Sequence, residues 1–140
     1  MKDSEIFRFE RGAFFSGELM YSIEKIGDKY ILKGHAYNGF NWMQDVDFVL
    51  PEDEVEKLGK IIEPVQEWNK KYEGDEMVLD GYGWEICFSY KGKMVQSSGY
   101  EEYPENYRKV VGKLQRFIEC MGKKYNPNYQ QEGRRERINL

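Results

Sequence analysis

Apolar and polar residues alternate through most of the first fifty positions of this chain. Phe7 and Phe9 share one face of an extended segment, and Leu19, Tyr21 and Ile23 share one face of residues 17–25. A period of two marks a strand with one buried side. The turn residues of Ile26-Gly27-Asp28-Lys29 separate that run from residues 29–37, so the two runs are predicted to pair as an antiparallel hairpin. A loop of glycine, asparagine and rings, Asn38-Gly39-Phe40-Asn41-Trp42, leads into residues 43–50, where Val46, Phe48 and Leu50 alternate with Asp45 and Asp47. The N-terminal half therefore reads as a four-strand meander.

After Leu50 the period changes. Pro51 suits a helix start, and Glu52, Asp53 and Glu54 place carboxylates where the positive end of a helix favours them. Val55, Leu58, Ile61, Ile62, Val65, Trp68 and Tyr72 then recur at three and four, which predicts a helix through Tyr72. Pro64 interrupts the stripe and predicts a kink or two abutting helices. Trp84, Ile86, Phe88 and Tyr90 alternate with Glu85, Cys87 and Ser89, and Lys91-Gly92-Lys93 turns the chain into residues 94–98 as a second hairpin. Pro104 and Glu105 open a second helix, whose stripe is Tyr107, Val110, Val111, Leu114, Phe117, Ile118 and Met121, with Gly122 as its stop.

Single-sided strands and single-striped helices fit together in one way. The expected fold is α+β, a two-layer arrangement in which a mainly antiparallel sheet of about six strands, in the order ββββ-α-ββ-α, carries both helices on one face. Residues 1–124 form one domain in this reading, and residues 125–140 a polar, partly mobile tail.

Composition narrows the setting. With 16% aromatic and 40% hydrophobic residues in 140, the chain has the material for a packed core. No apolar run approaches the roughly 20 residues of a membrane helix, and the first ten residues lack the apolar stretch of a secretory signal. A cytoplasmic protein is expected, with Cys87 and Cys120 as small reduced side chains. From Lys123 onward five basic residues stand against two acids, a net of +3, so the whole-chain charge of −4 leaves −7 on residues 1–122. A body of that sign repels phosphates, so neither nucleic acid nor membrane is an expected partner.

Residues 84–107 carry one recognisable arrangement. Asp80, Gly81, Trp84, Ser98, Gly99, Tyr100, Tyr103, Pro104, Glu105 and Asn106 resemble a family of small bacterial proteins in which a strand opening with Trp runs through a hairpin into Ser-Gly-Tyr and then Tyr-Pro-Glu-Asn at a helix start. The resemblance covers about the last third of the folded body. It implies a strand-to-helix fold piece and no activity.

Catalytic grammar is sparse. His35 is the only histidine, which excludes two-histidine metal sites and paired acid–base histidines. The acids at Glu52 to Glu54, Glu73 to Glu76 and Glu101-Glu102 lack the spacing of a calcium loop, and no metal or other cofactor is expected. Ser97-Ser98-Gly99-Tyr100 is followed by Glu101, Glu102 and Glu105 and by no lysine, so it turns the chain rather than holding phosphate. The rings are the remaining signal: Tyr37 and Trp42 crowd one loop, and Tyr82, Trp84, Tyr100 and Tyr103 another. Rigid amphipathic rings favour protein contact. The first expectation is thus a non-enzymatic interaction or regulatory module that binds another protein through an aromatic patch edged by acids. The alternative is a small-ligand binder or enzyme with a pocket between sheet and helices near His35, Tyr37 and Asp47.

Overall fold

A computed structural model describes residues 2–13, 17–37, 46–73 and 82–126. The alternating runs become β1 (Glu5–Ala13), β2 (Gly17–Ile26), β3 (Lys29–Tyr37) and β4 (Val46–Leu50). Helix α1 (Glu52–Ile62) follows, then a 3-10 turn over Glu63–Glu67 and a short strand, β5 (Lys71–Glu73). The hairpin β6 (Gly83–Tyr90) and β7 (Lys93–Tyr100) precedes α2 (Tyr107–Tyr125). The seven strands among the described residues lie in one sheet, ordered β4-β3-β2-β1-β6-β7-β5.

The sheet is mixed and has one strand more than the sequence pattern predicts. Pro64 does end α1, but the chain beyond it does not resume as a helix through Tyr72. Trp68 is extended at ψ 152°, and the chain runs out along the free edge of β7. There Ser98 N–H donates to Lys70 O at 3.0 Å and Ser97 Oγ–H to Asn69 O at 2.7 Å. An open strand edge offers unpaired donors, and capturing three residues satisfies some of them. Because the chain arrives from α1 rather than from a hairpin, β5 pairs with β7 in parallel, while the other strand pairs are antiparallel. The observed element order is thus ββββ-α-βββ-α.

Turn chemistry sets the hairpins. Lys91 and Gly92 both have positive φ, 50° and 78°, as a two-residue type I′ connection demands. Register then decides the faces. Phe7 pairs with Ile23 and Phe88, and Phe9 with Tyr21 and Ile86, so one apolar row runs across three neighbouring strands. Val55, Leu58 and Ile62 of α1 and Val110, Leu114, Ile118 and Met121 of α2 are buried with that row in one core.

Two carboxylates fasten the helices. Glu52 Oε2 accepts from Tyr90 Oη–H at 2.7 Å, which ties the start of α1 to the β6–β7 turn. Its neighbour Glu54 has a side chain only 1% exposed; it accepts from Tyr125 Oη–H at 3.0 Å and pairs with Lys57 at 3.0 Å and Lys124 at 3.4 Å. This contact explains why α2 runs past Gly122, where the sequence suggests a stop, to Tyr125: the extra turn is held against α1. The first turn of α2 also starts later than Pro104 suggests, at Tyr107. Residues 43–45 of the predicted fourth strand and the tail residues 127–140 lie outside the described residues.

Burial alone would raise the pKa of Glu54, but the Lys57 and Tyr125 hydrogen bonds and the Lys124 charge outweigh it and hold the carboxyl below its ordinary value. A carboxylate with a lowered folded pKa stabilises above its unfolded pKa and loses that contribution as pH falls through the folded value. Glu54→Gln is expected to cost about 1–3 kcal/mol at neutral pH and to flatten the loss of stability below about pH 4.5. Urea unfolding from pH 3 to pH 7 checks both; a variant with an unaltered acid slope refutes the assignment.

Candidate functional site

The end of the β6–β7 hairpin is built around one indole. Trp84 in β6 lies opposite Gly99 in β7, and its Nε1–H donates to Glu102 O at 2.9 Å. A Cβ on Gly99 would collide with Trp84 Nε1 and sit 2.6 Å from Glu102 O. Only glycine lets the ring lie flat across β7 and hold the chain leaving it. Glu101, at φ 57°, then closes the hairpin in both directions: its N–H donates to Tyr82 O at 2.9 Å, and its Oε1 accepts from Tyr82 N–H at 2.7 Å.

Around Trp84 the rings gather from four segments. Trp68 meets it edge-on at 5.8 Å between centroids, Tyr107 lies at 5.0 Å, Tyr72 at 6.0 Å, and Tyr103 stacks at 6.4 Å. Tyr103 also contacts Tyr107 at 4.9 Å and Tyr82 at 6.1 Å. Trp68 Nε1–H donates to Asn106 Oδ1 at 2.8 Å, which anchors the residue preceding α2. Trp84 itself is 4% exposed, whereas Tyr103 stands 39% exposed with Glu101, Glu102 and Glu105 exposed around it.

Beneath Tyr103 a cavity of about 430 Å³ opens between the end of the sheet, Arg11 and Tyr82, and the start of α2, Pro104, Tyr107 and Arg108, with Glu105 at its side. Arg11 is the third residue of the inward row that begins Phe7 and Phe9, set opposite Trp84 and Leu19. Among the described residues its buried Nε and the buried Tyr107 hydroxyl have no hydrogen-bond partner. Burial pushes the Tyr107 phenol strongly upward, and burial likewise raises Tyr82 and Tyr103. All three therefore carry their protons at neutral pH, and the Tyr82 hydroxyl also accepts a hydrogen bond from the Arg11 guanidinium.

The predicted patch residues thus divide. Tyr82, Trp84 and Tyr103 meet at this end, while Tyr100 pairs with Gly83 and falls on the opposite face of the sheet from Trp84. Tyr37 ends β3 opposite Glu18, far along the sheet order from β6, and Trp42 lies outside the described residues. The alternative pocket near His35 changes place: His35 sits opposite Met20 on the face away from the helices, and Asp47 pairs with Lys33. His35 there lines a groove with Glu10, Glu18, Met20 and Glu85 rather than a cavity between layers. Arg8 on that face is engaged by Glu5 at 3.0 Å and by Glu10 at 2.6 Å. Among the described residues no group of side chains is suited to hold a metal ion, and no helix is long and apolar enough to cross a membrane.

No family model, curated protein or solved structure matches the chain. The run from Trp84 to Tyr107 is therefore understood through its mechanics: Gly99 clears the indole, Glu102 receives its proton, Asn106 receives that of Trp68, and Tyr103 covers the cavity. Sequence reasoning passes over Arg11, Arg108 and the hydroxyl of Tyr107 as site groups. For Arg11 the signal was present, since strict alternation from Phe7 and Phe9 already sends it inward.

Two substitutions measure this construction. Gly99→Ala is expected to cost at least about 3 kcal/mol, because the atoms in its way are a backbone carbonyl and a hydrogen-bonded indole. Gly112→Ala on α2, where a Cβ meets only the flexible end of Arg116, is expected to add about 0.5–1 kcal/mol. Denaturant midpoints of the pair that move together contradict the close packing at Gly99. Tyr107→Phe, which deletes a buried unpartnered hydroxyl, is expected to leave thermal stability unchanged or raise it by about 1 kcal/mol; a clear loss shows that the hydroxyl is satisfied in solution.

Proposed function

We propose that the protein is a non-enzymatic interaction module that holds a partner protein at the aromatic end of its sheet. One observation carries the reading: rings from four separate segments converge on Trp84, and the outermost, Tyr103, stands exposed over a cavity bordered by two guanidiniums. Tyrosine, tryptophan and arginine set in partly desolvated pockets are the groups that dominate binding energy at protein contacts. The surrounding framework is rigid, since the indole is clamped to β7 and α2 starts from an anchored Asn106. A preorganised surface loses little entropy on binding. A cytoplasmic setting is part of this reading and is supported by two free thiols, Cys87 and Cys120. The exposed acids around Tyr103 form a polar rim to this surface.

Affinity capture from host extract with the full chain tests the proposal through its variants. Wild type and Met94→Ala, an exposed substitution at the other end of β7, are expected to retain the same partner. Tyr103→Ala is expected to weaken retention about tenfold or more. Retention that ignores Tyr103 rules this surface out.

A further inference from the structure

The cavity under Tyr103 holds two polar atoms without a partner among the described residues, although the Arg11 guanidinium also bonds to Tyr82. Among the described residues the hydroxyl of Tyr107, itself 7% exposed, has no partner, and the Nε of Arg11 is equally enclosed and equally unpartnered. Buried polar groups in folded proteins are almost always satisfied, so two orphans lining one cavity call for an explanation. An arginine Nε–H can only donate, and a protonated phenol can donate as well as accept. One acceptor set between them would satisfy both.

The charge of the cavity narrows the choice. Arg11 and Arg108 oppose the single carboxylate of Glu105, and Glu101 lies close enough to Tyr103 to act on its phenol. Two guanidiniums against these two acids leave no surplus charge, so a monoanion held by hydrogen bonds is accommodated more readily than a dianion, which both acids would repel. The volume, about 430 Å³, exceeds what a carboxylate alone occupies, and Tyr82 and Tyr103 line the same space.

We infer that the cavity receives a carboxylate borne by an apolar, flat group of the partner, with the carboxylate on Arg11 Nε–H and the Tyr107 hydroxyl and the flat group against Tyr82 and Tyr103. The inference rests on the reading of this end as the contact surface and names the chemistry that the surface selects. It also gives the unpartnered hydroxyl a purpose that packing does not: a phenylalanine would fill the same space with less strain on stability, and it would not bind.

The test is a proton–nitrogen NMR titration of the full chain with N-acetylphenylalanine, its amide and inorganic phosphate, read at the Arg11 Nε–H resonance. N-acetylphenylalanine is expected to shift that resonance and to bind about tenfold or more tightly than the amide. Tyr107→Phe, which keeps the ring, is expected to weaken the acid by a similar factor while the protein remains folded, and Arg11→Met to abolish the preference for acid over amide as read at the neighbouring backbone amides. Equal binding of acid and amide, stronger binding of phosphate, an unresponsive Arg11, or a Tyr107→Phe protein that binds like wild type each overturns the assignment. If the probe fails while Tyr103→Ala still releases the partner, the carboxylate is wrong and the contact surface stands; if the probe binds while capture ignores Tyr103, the surface as a protein contact is wrong and the carboxylate site stands.

Discussion

The close approach of the Trp84 indole to the backbone of β7 is the constraint on which this end of the molecule depends. A large ring lying flat across a strand needs a missing side chain beneath it, and Gly99 supplies the gap. Once there, the indole N–H needs an acceptor, because an unpaired donor in that position would carry a desolvation cost. Glu102 O meets it at 2.9 Å and so bends the chain away from the strand immediately after Tyr100. The left-handed Glu101, the position of Tyr103 and the anchored start of α2 all follow from that bend.

The rest of the molecule is governed by the contrast between the two faces of the sheet. On the covered face Phe7, Phe9, Ile23, Ile86 and Phe88 meet both helices, and their area removed from water supplies the main driving force for folding. The other face keeps its charges in pairs, Arg8 with Glu5 and Glu10, and Lys33 with Glu24. Glu5 reaches that side through the irregularity between Glu5 and Phe7, where the β1–β2 register shifts. Cys87 is also buried there, its thiol pushed up to about 11 by burial and by Glu85, which makes it inert at neutral pH. The inward row of β1 departs from apolar character once, at Arg11, and the departure coincides with the cavity.

Much of this could be read from residue order. The alternation at Leu19, Tyr21 and Ile23, the glycine turn at Gly27, and the three-and-four stripe of α2 are local signals, and local signals survive folding because each reports on its immediate neighbours. The stripe that continued through Val65, Trp68 and Tyr72 misled for the same reason. Those side chains do face the core, but a 3-10 turn and an edge strand deliver them there as well as a helix would. Periodicity records which side is buried; it does not record what lies alongside, and here the free edge of β7 captured the chain.

The sequence by itself determined the class of the fold, the two hairpins, the helix stripes and the rings around the Ser-Gly-Tyr turn, since each follows from propensity, turn chemistry or spacing within a few residues. Only the tertiary structure decided that Tyr82, Trp84, Tyr103 and Tyr107 share one end while Tyr100 faces the other way, and that His35 lies on the uncovered side. Only it brought Arg11, nearly a hundred positions distant in the chain, to the start of α2. The reason is strand register: one residue of shift sends every side chain of a strand to the opposite face, and pairing between distant strands is set by the fit of the whole core rather than by any segment of it.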